Sequence, residues 1–194
     1  MTIAGLAEWT RRIYLASITL LAVAWVFNLP LQLGWGGIIL EQFLLVIAGL
    51  VTGAGFLQAP FGKRAGALEL ALALVSLAVW TLAAVYSPEW ITDPVNRPLL
   101  RWGPALIAIG LLFVSLYQNV GLAIALTMGL IGLYGFVGHW FPGVMEGQYT
   151  EPRRLLLYLY YDSNGVPGLV LNVARRNAQR ARLAGLPGGA PAGL

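Results

Sequence analysis

Cysteine is missing from the chain, and histidine occurs once, at His139. Without cysteine there is no disulfide and no thiolate metal centre, and the redox compartment is left open. A single histidine argues against an all-protein haem or zinc site. Charge is scarce too: acidic and basic residues together make up 10% of the 194 positions, where a soluble domain carries roughly a quarter. Gly-rich phosphate loops, a Ser-His-Asp set and metal-binding helix motifs are all lacking. The sequence therefore nominates no catalytic residue, no cofactor and no metal ligand.

Apolar residues fill the space instead, at 58%. Such a chain has too little polar surface to coat a water-facing globule. Its 12 Lys and Arg against 8 Asp and Glu give a net +4, but these charges flank apolar runs. That points to membrane lipids as partner and away from nucleic acid. Between Arg12 and Glu41 lie 28 residues without a charge, between Glu41 and Lys63 another 21, between Glu69 and Glu89 another 19, and between Arg101 and His139 a run of 37. A spanning helix needs about 20 apolar residues, so the first three intervals hold one span each. The fourth holds two spans or one oblique helix. The spans are placed near Ile13 to Leu31, Ile38 to Pro60, Gly66 to Tyr86, Leu99 to Leu116 and Val120 to Gly138. The runs lack period-2 alternation and are about twice the length of a barrel strand, which rejects closed β. The fold class is all-α integral membrane, with about five transmembrane helices plus a C-terminal interfacial arm helix.

Arg11 and Arg12 before an apolar stretch that reaches Ala22-Val23-Ala24 resemble a cleaved signal peptide. Apolarity continues through Trp25 and Phe27 to Leu33, past the length of such a core, so the segment is kept as a span. Arg11, Arg12, Lys63 and Arg64 place the N-terminus in the cytoplasm by the positive-inside rule. Ser87 to Pro98, with Pro88, Pro94 and Pro98, suits an external connection. Strict alternation then puts the C-terminus outside, whereas six tail arginines, Arg153, Arg154, Arg175, Arg176, Arg180 and Arg182, favour the inside. A single oblique helix across the 37-residue run, or a re-entrant piece at Tyr117-Gln118-Asn119, removes that conflict.

Small residues mark close helix approach, which lipid-embedded helices need because packing replaces water exclusion. Gly49 and Gly53 are four apart, as are Ala125 and Gly129, and Gly129, Gly132, Gly135 and Gly138 follow at intervals of three. Packing within the chain and a face for a partner subunit both fit, and the row from Gly129 to Gly138 is the candidate partner interface. Trp9, Tyr14, Trp35, Tyr86, Trp90, Trp102, Trp140 and Tyr149 fall near span ends, as an aromatic belt requires. Glu41 and Glu69 sit in the first turns of their spans, where a carboxylate meets the positive end of the helix dipole; this is structural placement rather than an ion path. Asn28, next to Pro30, marks the end of the first span. His139, beside Trp140, reads as an interfacial hydrogen-bonder.

Beyond Pro142 the character changes. Thr150-Glu151-Pro152 is a helix start, Leu155 to Tyr161 is apolar and tyrosine-rich but too short to span, and Gly165 and Pro167 interrupt it. The segment predicts a surface-lying arm whose arginines meet lipid phosphates. Leu183 to Leu194, rich in Gly, Pro and Ala, predicts disorder. Residues 1–143 then form the transmembrane domain, 144–174 the interfacial arm and 175–194 a basic tail.

The stretch Tyr134-Gly-Phe-Val-Gly-His-Trp-Phe-Pro-Gly143, followed by Tyr149-Thr150, Arg154-Leu155, Leu159-Tyr160 and Gly165-Val-Pro-Gly168, resembles the junction in fused permeases of tripartite ATP-independent periplasmic (TRAP) transporters of the TAXI branch. There a small Q-like membrane part gives way to the large transporting part. The resemblance covers roughly Leu99 to Leu171; the first three spans match only in number and apolarity. It implies a small scaffold subunit in a bacterial inner membrane, partnered by a large TRAP permease subunit and a periplasmic substrate-binding protein, in ion-coupled uptake of organic acids. It also implies no enzymatic activity and no transport site in the small part. This chain has Tyr117-Gln118-Asn119 where fused relatives often carry charge, and it stops where the permease's first helix should develop, as a stand-alone subunit or a fragment would. Two other classes compete. A small membrane enzyme or redox anchor wants paired histidines or mid-membrane carboxylates, which the sequence lacks. An independent small transporter wants an internal repeat, and none is visible.

Overall fold

The computed structural model describes residues 3–34, 37–62, 65–93, 98–162 and 165. All regular structure among them is helical: α1 (Ile3–Val26), α2 (Leu29–Gln32), α3 (Leu40–Gln58), α4 (Ala67–Thr92), α5 (Leu99–Val120), α6 (Leu122–Val137) and α7 (Pro152–Tyr161), with 3-10 turns at Gly138–Trp140 and Gly143–Met145. Four segments are long and apolar enough to cross a membrane: Leu40–Gln58, Ala67–Thr92, Leu99–Val120 and Leu122–Trp140. The chain is thus an all-α, multi-pass membrane protein. The 24-residue α1 is as long, but any membrane-thick window within it takes in Arg11 and Arg12, which lowers its hydropathy.

The long helices alternate in direction. Tyr14 lies against Gly53 and Trp25 stacks on Phe43, so α1 runs antiparallel to α3. Gly49 meets Trp80 and Gly53 meets Ala73, so α4 reverses again. Ser115 bonds to Thr52 and Asn119 to Gly55, which sets α5 parallel to α3. Gly129 faces Phe113 across Gly121, closing α5 and α6 into a hairpin. α3 is the central helix, with eleven of its 19 residues buried. Its glycines are what let it sit there: a Cβ on Gly49 would stand 2.9 Å from the Trp80 Cβ, and one on Gly53 2.6 Å from the Tyr14 ring. The Gly49 and Gly53 pair therefore serves packing within the chain.

Four boundaries differ from the sequence expectation. α1 begins at Ile3, well before Ile13, because Glu8 pairs with Arg11 at 2.8 Å and with Arg12 at 3.1 Å across one helical turn. α1 ends at Val26 rather than Leu31, broken where Asn28 takes the left-handed conformation at φ 51°. α4 continues past Tyr86 to Thr92, straight through Pro88, so Ser87 to Thr92 is helix and not connection. Proline removes the donor that the Ala84 carbonyl would use, and the Ser87 hydroxyl supplies one at 3.0 Å. Finally, the 37-residue run is two helices, as the span placement has it, but the break falls at Gly121 (φ 100°) and not at Tyr117-Gln118-Asn119. The N-terminal helix start and the arm therefore lie at opposite ends of the bundle, and the charge conflict stands.

The arm is seated more deeply than a surface-lying helix would be. α7 buries Leu157 and Tyr160 in the same core as Leu45, Trp80, Trp90 and Ala105. Its start is one residue later than Thr150 as cap would give, with Glu151 at the N-cap position and Pro152 in the first turn. The expected Gly165-to-Gly168 turn beyond Gly165, the rest of the arm to 174, and the basic tail 175–194 lie outside the described residues.

Candidate functional site

The four glycines of the candidate interface do not share one face. A step of three residues turns a helix by about 300°, so each glycine falls roughly 60° behind the last and the row winds half-way round. Gly129 looks at Phe113 on α5, with 3.8 Å from its notional Cβ to the ring. Around Gly132 nothing lies within 4 Å. Gly135 is exposed, but a Cβ there would stand 3.0 Å from Leu155 Cδ2 of the arm, and Gly138 is buried beneath the Tyr134 ring and beside Gly147. Of the four, Gly132 alone would place a Cβ with nothing within 4 Å. α6 as a whole has no buried residue.

The densest convergence of polar and aromatic groups is the seat of the arm. The Tyr160 hydroxyl donates to the Val79 carbonyl, and its ring lies 5.2 Å from Trp80 and 6.4 Å from Trp90. Burial pushes the Tyr160 hydroxyl pKa above its ordinary value. Arg101, only 5% exposed, donates to the Asp93 carbonyl and lies 3.8 Å from its carboxylate. The same guanidinium stands 5.7 Å over Trp90, while Arg153 from the arm stands 5.6 Å over Trp102. Together these groups tie the ends of α4 and α5 to α7.

A second polar seam joins α3 and α5. Ser115 donates to the Thr52 carbonyl at 3.3 Å and Asn119 to the Gly55 carbonyl at 3.2 Å. Beside them, both side-chain polar atoms of Gln118 are buried without a partner among the described residues, as are Ser76 Oγ and Trp80 Nε1. The seam has donors and acceptors but no ionisable group.

Both carboxylates singled out in the sequence lie in the first turn of a helix. Glu41 lies in the first turn of α3. Glu69 accepts from the Gly66 N–H at 2.7 Å and the Phe61 N–H at 3.1 Å, clamping the loop before α4. His139 packs edge-on against Trp140 at 5.3 Å and Tyr149 at 4.9 Å. Among the described residues no three His, Asp or Glu side chains converge to hold a metal ion. Sequence reasoning missed Arg101 and the Ser115 and Asn119 seam. The signal for Arg101 was its place one residue before Trp102 and opposite Trp90-x-x-Asp93 across a proline-rich loop. No known family model, curated protein or solved structure matches the chain.

Proposed function

We propose that the chain is a small, non-catalytic scaffold subunit of a TRAP-type secondary transporter, embedded in a bacterial inner membrane as five spans with α1 counted among them. Its partners on this reading are a large permease subunit and a periplasmic binding protein, and the assembly takes up organic acids by coupling to an ion. The basic flank of the first helix sets the N-terminus in the cytoplasm, which puts the arm on the periplasmic side.

The observation that carries the proposal is α6. Apart from Thr127 and the Tyr134 hydroxyl, its outward residues are apolar; it packs on the bundle through α5 and the start of the arm, and buries none of its own residues. A helix so placed gains little from its own chain, and packing against another membrane protein is the main force that could hold it.

The test is copurification. A tagged chain expressed with its neighbouring genes and solubilised in mild detergent should retain a large polytopic protein. Elution alone, under conditions that preserve the fold, would reject the scaffold role.

A further inference from the structure

Between α1, α3 and α4 lies an apolar cleft of about 230 Å³. Leu21 and Trp25 form one wall, Phe43 and Val46 another, and Val85 the edge. Its shape is held by the stack of Trp25 on Phe43, with ring centroids 4.7 Å apart and planes 15° from parallel. Its existence follows from the left-handed break at Asn28, which ends α1 early and lets Pro30 carry the chain over the cleft's end.

The cleft opens to the side of the bundle. Val85, which lines it, is 63% exposed and lies on a helix long and apolar enough to cross the membrane, so hydrocarbon rather than water meets its mouth. Water does not fill an apolar cleft, and an empty one forfeits dispersion contacts along every wall. At roughly the 30 Å³ that one water-sized group occupies, the volume takes about eight methylenes.

Two polar side chains line it, Gln42 and Thr81. Thr81 follows Trp80, which meets Gly49, so it sits about 10 Å deeper along α3 than Gln42 at 1.5 Å per residue. A hydroxyl at that depth can turn to a carbonyl of its own helix. Gln42 is different. Its Oε1 accepts from the Ile39 N–H at 3.2 Å, which leaves Nε2 without a partner among the described residues on a side chain that lines the cleft in the first turn of α3. An apolar slot with one spare N–H donor at its outer end matches the upper part of an acyl chain and the ester carbonyl above it.

We propose that this cleft binds one acyl chain of a membrane glycerolipid, with Gln42 Nε2 donating to the ester carbonyl. The site is built from α1, α2, α3 and α4 of this chain and does not depend on a partner subunit.

Native mass spectrometry of the delipidated full chain, titrated with a diacyl phosphatidylglycerol, tests this. Wild type should show one adduct at least five-fold stronger than the distribution of weaker ones. Ala24→Phe, which fills the cleft, should abolish that preference, and Val85→Trp at the mouth serves if Ala24→Phe proves unfolded by circular dichroism. The ether-linked analogue, which lacks the carbonyl, should bind several-fold more weakly to wild type. In Gln42→Glu, which keeps the acceptor for Ile39 but loses the donor, ester and ether lipids should bind alike. Equal adduct patterns in wild type and the cleft-filled variant overturn the site. A free fatty acid or quinone retained in preference to the glycerolipid overturns its assignment. Equal ester and ether binding by wild type overturns the role of Gln42.

Discussion

The hydroxyl of Tyr160 on the arm reaches the main-chain carbonyl of Val79, at the middle of α4. A residue outside the long helices thus fills the core between them, and its two parts contribute separately. Tyr160→Phe should remove the hydrogen bond alone and lower stability by about 0.5–1.5 kcal/mol. Tyr160→Ala should add a cavity beside Trp80 and Trp90 and cost about 3–5 kcal/mol. Thermal unfolding in detergent reads both, and an unchanged midpoint for Tyr160→Ala would show the arm to be unseated.

Glycines with different surroundings should separate packing inside the chain from packing with a partner. Gly53→Leu collides with Tyr14 and should destabilise the isolated protein by about 1–3 kcal/mol. Gly132→Leu meets open space and should leave the isolated protein unchanged. If α6 is the partner face, the same Gly132→Leu should weaken retention of the large permease by a similar about 1–3 kcal/mol. Gly135→Leu is a poorer probe, since it first displaces Leu155 of the arm. Full copurification of Gly132→Leu would remove α6 from the interface.

Arg101 fixes the junction of α4 and α5 through the Asp93 carbonyl and the Trp90 ring. Arg101→Lys keeps the charge but loses the planar fork that serves both contacts. It should cost about 1.5–3 kcal/mol, the range for a hydrogen bond to a charged group. Arg12→Lys, on the exposed start of α1, should be neutral in the same melt. Equal midpoints for the two would place Arg101 among ordinary surface arginines.

The absence of native cysteine makes topology directly measurable. Single cysteines at Thr2 and at Glu146 should label from opposite sides of the membrane, with Thr2 reached only from the cytoplasm. Labelling of both from one side would mean that α1 does not cross.

Much of the architecture was legible because charge marks where a helix cannot stay in lipid. The intervals bounded by Glu41, Glu69 and Arg101 match α3, α4 and α5 to within a turn or so at their starts. The misses come from treating charge and proline as breaks. Glu8, Arg11 and Arg12 are spaced to bond along a helix surface, and Pro88 is tolerated because Ser87 answers the freed carbonyl. The glycine row looked like a stripe in sequence, but its three-residue spacing drifts around a 3.6-residue helix. The nearness of Arg101 to Trp90-x-x-Asp93 across the proline-rich loop was on view in the sequence, but its burial was not, since that depends on how α4 and α5 fold together.

The one-residue link at Gly121 has mechanical meaning for α6. A helix joined so tightly cannot slide along its neighbour, because no slack exists to accommodate a shift. It can only swing, with Gly121 as the fulcrum and the far end as the moving tip. At that tip Gly135 touches Leu155, and Gly138 is packed against Gly147. The arm therefore works as a stay at the free end of a lever, and whatever moves α7 in its seat sets the angle at which the outermost helix leans from the bundle.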